Sequence, residues 1–297
     1  MISSLSKFSD ELADAVEHAG RSIVAVNEGG KAGVSGTLWR EGLVVTAEHT
    51  IRGRQELTIE VPEGGSTTAK VIGRDGTTDI ALLRLERSAA SKPAVLADNT
   101  QLRVGHLALA VGRRGESGLE VSHGVISAIG GPWRTWNGGR IDRKLRLDLA
   151  PFSGFSGGPL INTAGEVIGV NTSGPRRQIS TIPAETVNRV VDQLLAKGRV
   201  PRGFLGVALQ PVQLRETDSV AARRGLLVVS VEPGGPADKA GMIVGDIILT
   251  FDGKLLQEAG GLESILDPEQ VGKTIRLGIA RGGSDREISP QIGERPE

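Results

Sequence analysis

The sequence predicts a mainly β chain, and two features carry that expectation. Short runs rich in β-branched residues recur between turns bearing Gly, Pro or Asp. Glycine is abundant, at 42 of 297 residues, while aromatic residues are scarce and tyrosine is absent. Many turns between small and branched apolar runs give the rhythm of a barrel or sandwich. The length admits two compact domains. With 35 acidic residues against 35 basic ones, no net charge draws the chain to nucleic acid. Zero cysteines exclude disulfides, thiolate zinc sites and a cysteine nucleophile, and fit a reducing or an oxidising compartment alike. Stability must come from packed cores, and neither a cofactor nor a metal is expected.

Residues 1–20 are expected to form an N-terminal helical segment. Phe8, Leu12, Ala15, Val16 and Ala19 fall on one side of it, and Glu11, Asp14 and His18 on the other. The start, Met1 to Phe8, has no basic opening, no long apolar core and no small-residue cleavage site, and nothing reads as a membrane span. The expected location is therefore the cytoplasm if Met1 is the native start, and the periplasm or a membrane anchor if the chain is a shortened form.

Strands are expected at residues 21–26, 43–47, 57–61, 69–73, 79–85, 107–111, 124–129 and 167–171. A helix follows, started by Pro183, striped by Val187, Val190, Val191, Leu194 and Leu195, and stopped by Gly198. These elements make one domain over 21–198. Residues 199–203 read as a linker, and 204–292 as a smaller second domain. Its strands fall at 204–207, 225–231, 247–251 and 274–279, with a turn and brief helix at 233–241 and another helix near Leu262, Ile265 and Leu266.

The chemistry concentrates in Phe152-Ser153-Gly154-Phe155-Ser156-Gly157-Gly158-Pro159-Leu160. One serine sits among glycines that allow a sharp turn, exposing the hydroxyl and aiming the Gly154 and Ser156 amides at one point. That suits acyl transfer. Gly154 to Gly158 also matches the G-x-S-x-G elbow of α/β-hydrolases, which needs its histidine after the serine. The histidines are His18, His49, His106 and His123, and none follows Ser156. The order His, Asp, Ser is filled by His49, at the end of an apolar run, and Asp79, at the start of another. The order Asp, His, Ser remains arithmetically open, with Asp75 or Asp79 and His106 or His123, but local context disfavours it. His18 reads as exposed, and His106 and His123 as ordinary hydrogen-bonded residues.

Thr46-Ala47-Glu48-His49, Thr78 to Leu83 and Gly154 to Leu160 resemble the triad motifs of HtrA/Deg-type serine proteases. Phe204-Leu205-Gly206-Val207, Val231 to Ala237, Lys239-Ala240-Gly241 and Val244 to Ile248 resemble a bacterial PDZ domain. The resemblance runs from about residue 8 to about 290. It implies a chymotrypsin-like double six-stranded β-barrel followed by a small PDZ β-sandwich with short helices. It implies an ATP-independent endopeptidase for unfolded or misfolded polypeptides, with Ser156 as nucleophile, His49 as base then acid, and Asp79 orienting it. Gly154 and Ser156 would supply the oxyanion hole. Ala150 stands where trypsin-like enzymes carry a pocket acid, so a small or medium apolar side chain is the expected preference over Lys or Arg.

The PDZ resemblance implies capture of peptide C-termini along Phe204, Leu205, Gly206 and Val207, with Leu262, Ile265 and Leu266 on the opposite wall. Relatives form trimers through N-terminal segments, which would place Phe8 and Leu12 at a subunit interface. Some positions depart from the family pattern. Phe155 replaces Asn, Phe152-Ser153 replaces Asn-Pro, Glu48 precedes His49, and Gly112-Arg113-Arg114-Gly115 replaces a Gly-Asn-Pro-Phe-Gly run. The loop 130–143, with Trp133, Arg134 and Trp136, is either a sensor of PDZ occupancy or a solvated loop anchored by its tryptophans. The altered serine loop motivates an alternative, a catalytically inactive PDZ scaffold or holdase on a protease fold.

Overall fold

A computed structural model of the chain describes residues 4–27, 33–62, 65–87, 91–115, 118–135, 137–174, 179–214, 223–256, 266–267 and 270–295. The chain divides into two compact units, Met1–Val200 and Pro201–Glu297.

The first unit opens with α1 (Ser4–Gly20), which buries Ala15 and Ala19 and leaves Leu5, Phe8 and His18 exposed. Six antiparallel strands follow: β1 (Ile23–Asn27), β2 (Val34–Arg40), β3 (Leu43–Ala47), β4 (Glu56–Val61), β5 (Gly65–Asp75) and β6 (Ile80–Leu85). They close into a barrel in the order β1-β2-β3-β6-β5-β4. Period-2 alternation explains why residues 23–26 of β1, 43–45 of β3 and 80–83 of β6 read as unbroken apolar runs. Val24, Val26, Val44, Ala81 and Leu83 fill the barrel. The alternate residues Ile23, Val45, Ile80 and Leu82 face outward into a second core. Strands buried on both faces need apolar residues at every position.

The second half of this unit comprises β7 (Leu107–Arg113), β8 (Leu119–Gly130), the small hairpin of β9 (Trp133–Arg134) and β10 (Arg140–Ile141), β11 (Lys144–Asp148), β12 (Pro159–Ile161), β13 (Val167–Ser173) and β14 (Ile179–Pro183). The large sheet runs β11-β8-β7-β12-β13-β14. Its outer strands β11 and β14 approach each other, which makes the sheet barrel-like. Its own core holds Ala108, Ala110, Ile126, Leu160 and Ile168. Helix α2 (Ala184–Lys197) begins after Pro183 and ends at Gly198, whose φ is 70° and whose N–H is bonded to the Leu194 carbonyl. Val187, Val190, Val191 and Leu194 pack with β3, β6, β7 and β13 residues in the core that joins both halves, while Leu195 stays exposed.

The second unit carries β15 (Gly203–Phe204), β16 (Val207–Leu214), β17 (Arg223–Val231), α3 (Pro236–Lys239), β18 (Ile247–Phe251), β19 (Lys254–Leu255), β20 (Leu277–Arg281), β21 (Ser284–Ile288) and β22 (Gly293–Glu294). The main sheet runs β16-β17-β18-β20-β21, with β19 paired to β18, and β15 pairs β22. Leu205, Val228, Ala237, Met242, Ile248 and Ile279 form its core. The buried Asp246 is gripped by Arg281 through Nε and Nη2 at 2.6 and 2.7 Å.

Several boundaries differ from expectation. The expected strand over 204–207 breaks at Leu205 and Gly206, because the Leu205 carbonyl turns to accept Ala237 N–H and the Gly206 carbonyl accepts Glu232 N–H. The strand expected from Thr274 begins at Leu277, Thr274 making only an isolated bridge to Gln291. Asp79 lies before β6 with φ of 61°, outside the β region. Trp136, Leu262 and Ile265 lie outside the described residues.

Leu83 is fully buried in the closed barrel. Leu83→Ala is expected to cost about 2–5 kcal/mol of stability, read as a lowered midpoint in denaturant unfolding of the first unit's transition.

Candidate active site

Three segments from different strands meet at one place. Strand β3 ends at Ala47, and the chain winds into a single 3₁₀ turn, Glu48–Thr50, that carries His49. Strand β6 is preceded by the turn holding Asp79. The Glu48 N–H donates to the Asp79 carbonyl at 3.1 Å, fixing the two turns against each other. The His49 backbone N–H donates to Asp79 Oδ1 at 2.8 Å, and His49 Nδ1 lies 2.6 Å from Asp79 Oδ2. One carboxylate thus holds both the main chain and the ring of the histidine. The imidazole is one third exposed, and among the described residues no hydrogen bond engages its Nε2.

Thr172, on β13, also donates its hydroxyl to Asp79 Oδ2. Burial alone would push the Asp79 carboxyl up. The bonds from the His49 ring, the Thr172 hydroxyl and the His49 N–H outweigh it and hold the group below its ordinary range. An ionised Asp79 is what stabilises a positive charge on the imidazole.

The serine loop reaches the same place from the other side of β13. Gly157 N–H donates to the Asn171 carbonyl at 2.8 Å, and Asn171 N–H returns a bond to the Gly158 carbonyl at 2.8 Å. Ser156 is therefore one residue from a ladder whose next rung, Thr172, binds Asp79. Gly158 N–H closes a turn onto the Phe155 carbonyl at 2.9 Å. Thr37 Oγ1 donates to the Gly157 carbonyl at 3.1 Å. Gly157 has φ of 86°, and a Cβ there would overlap the Ser35 carbonyl and Thr46 Oγ1. Only glycine fits both demands. Phe155 is buried and meets Phe152 edge-on at 5.9 Å between ring centroids, so these two rings anchor the loop from within.

Gly154 takes φ of 80°, with the Arg114 side chain packed over it and paired to Glu120 at 3.0 Å. Its carbonyl is bound by Ser35, while among the described residues no protein group accepts the N–H of Gly154 or of Ser156. Those are the two amides expected to receive an oxyanion. No hydrogen bond joins Ser156 and His49 among the described residues, a looseness common to sites without substrate. Ala150 is exposed on the segment leading into the loop, so nothing in its surroundings marks the floor of an enclosed pocket. The remaining histidines stay apart from this cluster. His18 and His123 are exposed, and His106 contacts Arg103, with Arg103 Nε at 3.2 Å. Thr172, Thr46 and Ser35 belong to the site's hydrogen-bonding frame without having been expected from the sequence. Asp75, its carboxylate taken up by Thr77 and Thr78, serves the turn before Asp79.

In the second unit, β16 is an edge strand, so one row of its backbone groups faces away from β17. Phe204 closes β15, Leu205 is core, Gly206 turns with φ of 75° and Val207 opens β16. Leu266 packs on that core, and its carbonyl accepts Gly203 N–H at 3.1 Å. Among the described residues no group of three or more His, Cys, Asp or Glu is placed to hold a metal, and no helix is long and apolar enough to cross a membrane.

Because the folded Asp79 pKa is depressed from its ordinary 3.8, its stabilising contribution is fully present above that value and lost as pH falls through the lower folded one. In denaturant melts, Asp79→Asn is expected to be less stable than the unaltered chain near neutral pH, with the gap shrinking below about pH 4.

Residues 34–170 match the family described as trypsin-like peptidase domain, and residues 203–292 match the PDZ domain family. A probable periplasmic serine endoprotease, DegP-like, from Bartonella henselae is 33% identical over 264 residues, covering 86% of this chain and 52% of the relative. A probable periplasmic serine protease do/HhoA-like from Haemophilus influenzae is 32% identical over 260 residues, covering 85% and 56%. The chain thus spans about half the length of the curated relatives it matches. Among solved structures, the HtrA-type protease AlgW with tripeptide superposes with a TM-score of 0.75 at 26% identity, covering 96% of this chain and 98% of that one. The serine endoprotease from Yersinia pestis gives 0.71 at 26% identity, covering 96% and 98%. These relatives are periplasmic proteins, which overturns the cytoplasmic expectation, since the composition of eight opening residues carries no weight against it. Family matches, relatives and fold agree: the chain joins a trypsin-like peptidase domain to one PDZ domain, and it is similar to DegP-like serine endoproteases in sequence and to HtrA-type proteases in fold.

Proposed function

We propose that the chain is an ATP-independent serine endopeptidase acting on unfolded or misfolded polypeptides. The observation that carries it is the Asp79 carboxylate holding both the ring and the main chain of His49, one β13 residue away from the loop that carries Ser156, which is buried and not exposed as the sequence suggested. In this reading His49 takes the Ser156 proton as the hydroxyl attacks the scissile carbonyl. The N–H groups of Gly154 and Ser156 bind the oxyanion, and His49 then hands its proton to the leaving amine. Water reverses the sequence on the acyl-enzyme. An unfolded substrate accords with the chemistry, because a scissile bond must enter the site in extended form.

The edge strand β16 supports the second part of the proposal, a PDZ unit that takes a peptide C-terminus as an added strand. The bend at Leu205 and Gly206 lies at the start of that strand, where a terminal carboxylate would sit. Assembly as a homotrimer or higher oligomer through the N-terminal segment accords with the exposure of Leu5 and Phe8.

Ser156→Ala is expected to abolish casein cleavage, with a loss on the order of a million-fold in kcat. A fluorophosphonate probe should label the unaltered chain at Ser156 and leave the variant unmarked. Absence of labelling would favour the inactive scaffold or holdase instead. For the PDZ unit, calorimetry with apolar-tailed peptides should give binding to free termini and a marked loss on amidation. Equal binding of the two forms would refute carboxylate capture.

A further inference from the structure

We infer that Ser35 is a positioning residue for the oxyanion hole, an assignment that rests on the protease reading above. Ser35 lies on β2 of the first barrel and is completely buried. Its backbone N–H donates to the Gly154 carbonyl at 3.1 Å, and its hydroxyl donates to the same oxygen at 2.6 Å. The hydroxyl oxygen in turn accepts the Arg113 N–H at 2.9 Å. Its own carbonyl accepts Thr46 Oγ1 at 2.8 Å. One small side chain thus connects β2, the end of β7 and the serine loop.

The consequence follows from which torsions are soft. Gly154 has no Cβ and sits at positive φ, so the peptide units on either side of it rotate more easily than those of any other residue type. The oxyanion hole needs the Gly154 N–H and the Ser156 N–H aimed at one point, and an amide turned away by a peptide flip contributes nothing. Two donors on the Gly154 carbonyl fix the peptide between Gly154 and Phe155, which stands between the two peptides that carry the Gly154 and Ser156 amides, so each of those amides projects from a held neighbour. The clamp is itself anchored. Arg113 donates from its guanidinium to the Ile23 and Gly20 carbonyls at 2.8 and 3.1 Å, so its backbone N–H is held where Ser35 meets it. Removing the Ser35 hydroxyl leaves Gly154 with one longer bond and leaves the Arg113 N–H without its acceptor. Among the described residues no hydrogen bond joins Ser35 to Ser156, His49 or Asp79.

The test uses the full chain. Fluorophosphonate labelling of the unaltered protein comes first. kcat, KM and the pH profile are then measured on an apolar fluorogenic peptide for the unaltered chain, Ser35→Ala and Ser35→Thr, together with the affinity of a peptide boronate, which mimics the oxyanion. Ser35→Ala is expected to lower kcat by about 10- to 100-fold, less than outright loss of an oxyanion donor, with KM within about twofold. Boronate affinity should fall by about the same factor, the acidic limb of the profile should stay in place, and Ser35→Thr should restore most of kcat. If Ser35→Ala does not fold, Ser35→Gly removes the same hydroxyl and takes its place. A labelled parent with unchanged kcat in the variant, or a loss appearing as raised KM or a shifted acidic limb, overturns this assignment alone. Failure of both variants to fold also overturns it, since Ser35 is then structural. An unlabelled parent overturns the protease reading first, and this assignment with it.

Discussion

The whole first unit is arranged around one carboxylate. Asp79 accepts from the main chain and ring of His49 on one side and from Thr172 on the other, so it ties the end of a closed barrel to a strand of the second sheet. Such a group is costly to bury unless its oxygens are satisfied. Here three donors satisfy it, and each belongs to a segment that has to be in place for chemistry. The backbone at Asp79 adopts a positive φ to make this possible, a conformation that is uncommon outside glycine and is held by its surroundings. The Glu48 amide on its carbonyl and the Asp75 cluster in the preceding turn provide that support.

Much of the architecture was legible because it is written in local pattern. Strands buried on both faces are continuous apolar runs, as at 43–45 and 80–83, and the α2 stripe with Pro183 and Gly198 at its ends is a helix by periodicity and capping together. The order His49, Asp79, Ser156 was readable because three residue types had to occur in one sequence. Thr172 and Ser35 were not readable. Each is a lone hydroxyl inside a strand, and its role depends on a partner far along the chain, 93 positions for Thr172 and Asp79 and 119 for Ser35 and Gly154. The break at Leu205 and Gly206 was missed for a related reason. Its cause is a pair of tertiary hydrogen bonds to Ala237 and Glu232, while the residues alone carry strand propensity.

The departures in the serine loop acquire a physical sense. Phe155 is buried against Phe152, so an apolar pair holds from the inside a loop whose outer face must stay open. Ser35 and Arg114 hold it from the flanks, by hydrogen bonds to a carbonyl and by packing over Gly154. A loop with three glycines in five residues is otherwise free to sample many conformers, and each of these contacts removes some of that freedom before substrate arrives.

Gly157 has a further consequence for how such a chain changes over time. Its left-handed backbone and the crowding by Ser35 and Thr46 are requirements of packing between β2, β3 and the serine loop, independent of any reaction. In a lineage that abandons peptide hydrolysis, the hydroxyl at 156 is released to drift, while the glycine beside it stays fixed for as long as the fold survives. A retained glycine at 157 therefore reports only an ancestral shape. The hydroxyl at 156, which neither of those packing requirements demands, is the position where living catalysis and its relic would part.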